Sequence, residues 1–83
     1  MSHSEKAYKP IDCDYYDRLE AWATLKTVCL IVFKDDTGKQ QELSARIVDV
    51  YTQDKIEYLK TDTGLILRLD ALVSVNDILL PGK

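Results

Sequence analysis

Apolar positions in the first third of the chain follow the spacing of a helix. Tyr15, Leu19 and Trp22 recur at intervals of three and four residues, which places them on one face of an α-helix with Ala23 at its edge. An apolar face of this kind packs against the rest of a small protein. The spacing therefore predicts a helix over residues 14–25.

The polar residues before this helix predict how it begins. Asp14 is a suitable N-cap, and Asp17 follows it three residues later in a variant of the capping box. Pro10 favours an extended backbone at the residue before it. Residues 1–9 hold too few apolar side chains to become ordered on their own, so we expect them to be flexible.

After the helix, the pattern changes to that of β-strands. Residues 27–34 (TVCLIVFK) are nearly all apolar and rich in β-branched side chains, which predicts a strand covered on both faces. Residues 41–50 alternate, but the alternation slips at Ile47 and Val48, which indicates a bulge or a sharp bend. Three further strands are predicted over residues 55–61, 65–70 and 72–75, and connections at 35–38, 51–54 and 62–64.

One helix followed by about five short antiparallel strands predicts a mainly β (α+β) protein. The 83 residues form a single domain, 1–83, in which a small barrel over residues 27–77 follows the helix. A barrel is favoured because closing so short a sheet removes its exposed edges. The side chains predicted to fill the core of the barrel are Leu30, Val32, Ile47, Leu67 and Leu69.

The chain offers little for catalysis, metal binding or membrane insertion. Its single histidine, His3, lies in the segment expected to be flexible, so no histidine base is held in place. His3, Cys13 and Cys29 are widely spaced and too few for structural zinc. No run approaches the ~18 apolar residues of a membrane span, and the first residues lack the apolar segment of a secretory signal. We therefore expect a cytoplasmic protein that is not an enzyme and has no metal, cofactor or membrane partner.

One alternative belongs to the enzyme class. Cys13 lies just before the predicted helix, where the helix dipole favours a thiolate, and this position would suit a small redox protein. No base lies near Cys13 in the sequence, so a packing role is the stronger interpretation.

Acidic residues are concentrated at the start of the helix. The chain has 11 Lys+Arg and 14 Asp+Glu, a formal charge of −3. Residues 12–20 hold four acidic residues and one basic residue, Arg18. The net charge of this segment therefore equals the net charge of the whole chain, −3. Acids at a helix N-terminus satisfy the free amides and the dipole, and we interpret Asp12 and Asp14 in this way.

Tyr16, Asp17 and Glu20 are explained less well by the helix terminus. They lie on a side of the predicted helix away from Leu19 and Trp22, and we expect Tyr16 and Glu20 to face solvent beside Asp17. One interpretation is a merely solvated helix face. The other is a binding surface for a basic, nucleic-acid-binding groove, in which carboxylates replace phosphates and the tyrosine fills a base slot. The residues alone leave both interpretations open.

Three segments of the chain resemble one protein family. They are residues 8–20 (YKPIDCDYYDRLE), 56–59 (IEYL) and 67–70 (LRLD), followed by Ser74. In this order and spacing they are similar to the Rof family, the small Rho-binding antitermination proteins of bacteria, from about residue 8 to residue 77. The resemblance implies an Sm-like fold, with an N-terminal helix and a strongly bent, five- to six-stranded antiparallel barrel.

The resemblance also implies a function. Proteins of this family bind the RNA-binding N-terminal domain of termination factor Rho, block RNA loading at its primary site and so suppress Rho-dependent transcription termination. No catalysis or cofactor is implied. Rof-like proteins act as monomers, so we expect a free monomer that binds Rho and does not bind nucleic acid directly. The alternative is an Sm-like RNA-binding module, which the acidic composition opposes.

The resemblance assigns the main contacts with Rho to the helix, through a tyrosine, an aspartate and a glutamate. These positions fall on Tyr16, Asp17 and Glu20. The connection before residue 56 is basic in the best-known member but reads Gln-Asp-Lys here, so Lys55 is the candidate substitute for a basic contact. The residues predicted to bind the partner are Tyr16, Asp17, Glu20, Asp12, Asp14 and Lys55.

Overall fold

A computed structural model describes residues 11–81 as one helix followed by a six-stranded antiparallel sheet. The helix is α1 (Cys13–Leu25), and the strands are β1 (Val28–Lys34), β2 (Gln40–Gln53), β3 (Ile56–Thr61), β4 (Ile66–Arg68), β5 (Leu72–Val75) and β6 (Ile78–Leu79). A short 3-10 helix, Leu69–Ala71, lies between β4 and β5. The predicted α+β architecture is confirmed, whereas the expectation for residues 1–9 lies outside the described residues.

The helix begins one residue earlier than predicted, and its N-cap is Asp12 rather than Asp14. Asp12 has an extended ψ of 133°, and its carboxylate accepts a hydrogen bond from the Tyr15 N–H at 3.1 Å. Asp14 already belongs to the first helical turn, so the predicted pair of Asp14 and Asp17 does not form the cap. The helix ends at Leu25, and the left-handed φ of 57° at its C-cap, Lys26, stops further helical hydrogen bonding.

The long strand β2 contains the predicted irregularity. Ile47 lies opposite Thr61 and Asp49 lies opposite Lys60, so Val48 is one residue more than the ladder can pair. This β-bulge confirms the slip seen in the alternation, because a bulge moves the following side chains to the other face of the strand. The helix packs on β2, so the bulge lies close to the helix.

The connection predicted at residues 51–54 is shorter than expected. β2 continues to Gln53, and the chain reverses over Asp54 and Lys55, which have positive φ values of 54° and 67°. Two such residues form the tight turn that suits the twist of a hairpin, although glycine or asparagine usually occupies it. The absence of glycine explains why the sequence indicated a longer connection in place of this tight turn.

The sheet is open, so the predicted closure into a barrel is wrong. The strand order is β4-β3-β2-β1-β5-β6, and within residues 11–81 the edge strands β4 and β6 do not pair with each other. β6 was not predicted; its two residues pair with β5. Edge strands as short as these expose few unpaired backbone groups, so a small sheet gains little from closing.

The core lies between the helix and one face of the sheet. Four of the five predicted core residues, Val32, Ile47, Leu67 and Leu69, are buried, and Val32 is 8% exposed. Leu30 is only half-buried, because it points away from Cys29 and Ile31. The buried cluster consists of Tyr15, Leu19, Cys29, Ile31, Ile47, Leu59, Leu67, Leu69, Leu72, Val75 and Leu80. No helix in the described part of the chain is long and apolar enough to span a bilayer.

The hydroxyl of Tyr15 fixes the helix to the far end of the sheet. It donates to the carbonyl of Ile78 at 2.5 Å and accepts from the N–H of Val75 at 2.9 Å. Burial raises the pKa of Tyr15 above its ordinary value, although the hydrogen bond from Val75 acts in the opposite direction. This double hydrogen bond sets the rotation of the helix and therefore decides which side chains face outward.

Candidate functional site

Tyr16 lies between α1 and β2 and is half-buried, so the expectation of a solvent-facing ring is wrong. Its ring packs against the edge of the core, and its hydroxyl is hydrogen-bonded to the side chain of Thr52. Thr52 belongs to the part of β2 that was predicted to be a loop. The extra length of β2 is the physical reason for the difference, because it places a strand beneath the ring.

Carboxylates from three elements surround this tyrosine. Burial raises the pKa of Tyr16, the hydrogen bond to Thr52 lowers it, and the negative charges of Glu20, Glu57 and Asp49 raise it further. Glu20 comes from the helix, Asp49 from β2 and Glu57 from β3. The ring is therefore at the centre of an anionic surface.

We call this surface the acidic face and define it by Tyr16, Asp17, Glu20, Asp49 and Glu57. Sequence reasoning missed the last two residues, since their approach to Tyr16 depends on the packing of the helix on the sheet. The sequence contained a signal for Asp49, because this residue comes directly after the slip in alternation. The signal for Glu57 was weaker: it is an acidic residue within a predicted strand.

Two clefts open along the acidic face. The first, of about 260 Å³, lies between the second half of α1 and the bulge of β2. Its lining residues are Glu20, Ala23, Thr24, Val48, Asp49 and Val50. The second, of about 240 Å³, lies at the beginning of the helix and is lined by Ile11, Cys13, Tyr16, Asp17 and Glu57. Each cleft brings one helix carboxylate and one strand carboxylate to the same opening.

The other predicted site residues are placed less centrally. The Asp12 carboxylate serves as the helix cap, and Asp14 is exposed in the first turn. Lys55 is exposed in the β2–β3 turn, two residues before Glu57, whose Oε1 accepts the N–H of Ile11 at 2.9 Å. The structure thus brings Tyr16, Asp17 and Glu20 together, with Asp12, Asp14 and Lys55 at the periphery.

The cysteines differ in their surroundings. Cys13 is exposed at the first helical position, whereas Cys29 is buried and its thiol has a pKa raised by that burial. Within residues 11–81, no group of three histidine, cysteine, aspartate or glutamate side chains is arranged to hold a metal ion.

The acidic face can bind cationic groups through its carboxylates.

The opposite face of the β2–β3 hairpin carries a different group of side chains. Tyr51 and Tyr58 are cross-strand partners whose rings stack with centroids 5.4 Å apart. Arg68 lies opposite Tyr58 on β4 and forms a two-point ion pair with Asp70, at 2.8 and 3.1 Å. This face is aromatic, and its arginine is already bound to a carboxylate.

Comparisons with known proteins do not assign the chain. No family model matches it, and no curated protein matches it. The acidic face is therefore interpreted from its own geometry and from the sequence segments described above.

Proposed function

We propose that this protein inhibits transcription termination factor Rho in the manner of the Rof family, which it resembles. The acidic face binds the RNA-binding N-terminal domain of Rho, blocks RNA loading at the primary site and so suppresses Rho-dependent termination. The observation that carries the proposal is a half-buried tyrosine bordered by carboxylates from one helix and two strands.

The chemistry of the acidic face supports an RNA-binding partner surface. A groove that binds RNA presents cations for phosphates and flat slots for bases. Asp17 and Glu20 form no ion pair with another residue in the range 11–81, so their charges are available to such cations. The ring of Tyr16 is held by Thr52 and by its packing, so binding has little side-chain entropy to remove.

An Sm-like fold and Rof membership belong to the same proposal. In support, a helix precedes a small antiparallel sheet, and the long, bulged strand β2 pairs with β1 in its first half and β3 in its second. A bulge of this kind bends a strand strongly. We place the protein in the bacterial cytoplasm, where it acts as a monomer that binds Rho.

One observation favours a second candidate, an Sm-like RNA-binding module. The stacked rings of Tyr51 and Tyr58 resemble an aromatic platform on which RNA bases stack, and Lys60 and Arg68 lie on the same side of the sheet. The pairing of Arg68 with Asp70 weakens this candidate, since it removes a cation that a phosphate would need. Rho inhibition therefore remains the stronger proposal.

Isothermal titration calorimetry with the purified Rho N-terminal domain tests the proposal directly. We expect binding that weakens as salt concentration rises, because salt screens the charges at an electrostatic interface. A cytidine-rich oligonucleotide should compete with the protein for the domain. An absence of binding at low salt would contradict Rho inhibition, and tight binding of the oligonucleotide by this protein alone would favour the RNA-binding module.

A further inference from the structure

The cleft between α1 and the bulge combines an apolar floor with a charged rim. Ala23 and Val48 line it together with Val50, while Glu20 stands on the helix side and Asp49 on the strand side. We call it the helix–bulge cleft. Its volume of about 260 Å³ is below the roughly 300–1,000 Å³ typical of sites for small-molecule ligands. A single long side chain is a better match for this space.

The bulge creates the floor of this cleft. Val48 has no partner in the β2–β3 ladder and remains 52% exposed, which is unusual for a valine in the middle of a strand. A regular strand would alternate without interruption and would give no such surplus side chain. The exposed valine lies beside the helix, so the cleft offers an apolar surface to a partner.

The two rim carboxylates are available for binding. Neither the side-chain carboxylate of Glu20 nor that of Asp49 forms a hydrogen bond or an ion pair with another residue in the range 11–81. Lys60 lies opposite Asp49 in the ladder, but the two do not approach within ion-pair distance. Both carboxylates raise the pKa of Tyr16, which lines the neighbouring cleft at the beginning of the helix.

We propose that the helix–bulge cleft receives one arginine side chain of the partner protein. Its methylene groups lie on Val48 and Ala23, and its guanidinium group lies between Glu20 and Asp49. This inference rests on the proposed function, in which the partner surface is basic. It adds Asp49, a strand residue, to the contacts assigned to the helix.

Arginine fits the cleft better than other side chains do. An apolar side chain would remove water from two carboxylates without providing a hydrogen bond, which is unfavourable. A lysine offers a compact point charge, whereas the planar guanidinium can donate to two carboxylates at once. Long basic side chains also bury their methylene groups against apolar surface, as the cleft floor allows.

The inference can be tested without Rho by NMR, with N-acetyl-arginine N-methylamide as the probe. We expect saturable shifts of the backbone amides of residues 23–24 and 48–50. The neutral isostere N-acetyl-citrulline N-methylamide should produce no saturable shifts at these amides. Equal shifts with both probes, or none with the arginine probe, would overturn the inference.

A second arm uses the Rho N-terminal domain and matched variants. Asp49→Asn and Glu20→Gln remove one rim charge each, and each should weaken binding by roughly tenfold or more. Asp36→Asn removes the same charge from the exposed β1–β2 turn and should change binding less than about twofold. Thermal unfolding of each variant checks that the fold is retained.

The two arms separate this inference from the proposed function. If the wild-type protein binds the Rho domain but Asp49→Asn binds as well as Asp36→Asn, the arginine cleft is wrong and Rho inhibition stands. If the wild-type protein does not bind the domain, Rho inhibition is wrong, and the arginine and citrulline titrations alone decide the cleft.

Discussion

The two faces of the β2–β3 hairpin each present tyrosine, but they treat charge differently. On the helix side, Tyr16 lies near Asp17, Glu20 and Glu57, and the described residues place no cation in ion-pair contact with Asp17 or Glu20. On the other side, Tyr51 stacks on its neighbour, Arg68 is paired with Asp70, and Asp49 at the bulge lies opposite Lys60 in the ladder. A surface that neutralises its own charges needs no partner, whereas an uncompensated one is suited to binding an oppositely charged surface.

Reversing a charge on the helix side should have the largest effect. Asp17→Lys or Glu20→Lys places a cation against the basic Rho surface, and we expect a loss of about 2–5 kcal/mol of binding free energy, enough to abolish detectable binding. Both positions are exposed, so the thermal unfolding midpoint should hardly change. Calorimetry with the Rho N-terminal domain measures the loss.

The matched control for these reversals is Asp36→Lys, which makes the same charge change in the exposed β1–β2 turn. It should keep most of the affinity. If either helix variant bound Rho as tightly as the wild type, the charge difference between the two faces would have no functional meaning.

A smaller effect is expected at the residue that anchors the helix. Tyr15→Phe removes the hydroxyl that binds Ile78 and Val75, leaving a buried N–H without its acceptor. The expected cost is about 1–3 kcal/mol of unfolding free energy, measured by urea denaturation. Below the unfolding transition, Rho binding should be retained, because Tyr15 faces the core and not the acidic face. An unchanged denaturation midpoint would mean that the hydroxyl does not stabilise the helix.

Features of the fold that depend on residues close together in the sequence could be predicted from it, whereas features that depend on backbone conformation or long-range contacts could not. The helix and β1 follow from local spacing, and they were predicted to within a residue or so. Residue type could not distinguish Asp12 from Asp14 as the N-cap, because both are aspartates. The extended backbone of Asp12 identifies it as the cap. The turn at residues 54–55 lacks the glycine that usually marks such a reversal.

The candidate site shows the same division. The identity of Tyr16, Asp17 and Glu20 as neighbours follows from helical spacing. The burial of Tyr16 and the approach of Asp49 depend on which strand lies beneath the helix, and this is a long-range contact. A single sequence carries little information on such contacts, so Asp49 and Glu57 could not be assigned to the acidic face in advance.

Alkaline pH should affect the helix side modestly. The pKa values of Tyr15 and Tyr16 are raised above the ordinary value of 10.0, mainly by burial, so the folded state favours the neutral phenols. Their contribution to stability is complete below that value and is lost as pH rises through the raised pKa. Thermal unfolding above pH 10.0 should therefore begin at a lower temperature, and less so for Tyr16→Phe. Identical pH profiles for this variant and the wild type would contradict the role given to Tyr16.

The smallest effect is expected on the opposite face. Arg68→Gln breaks an exposed ion pair, and such pairs contribute about 0–1 kcal/mol to stability. Rho binding should change less than about twofold, measured by the same calorimetry. A large loss of Rho binding would place the contact surface on the stacked tyrosines, and a loss of RNA binding would favour the second candidate function.

The single surplus residue at the bulge has a consequence for how the two faces are encoded. Counted along the sequence from Ile47, the side chains from Asp49 to Gln53 lie on the faces opposite to those that strict alternation would assign, because Val48 is one residue extra. Their partners on β3 set the faces: Tyr51 shares one face with Tyr58, and Thr52 shares the other with Glu57. Removing Val48 alone would make the alternation regular and leave these pairs on the same faces. The pairing with β3, rather than the length of β2, thus specifies which side of the hairpin carries the stacked tyrosines.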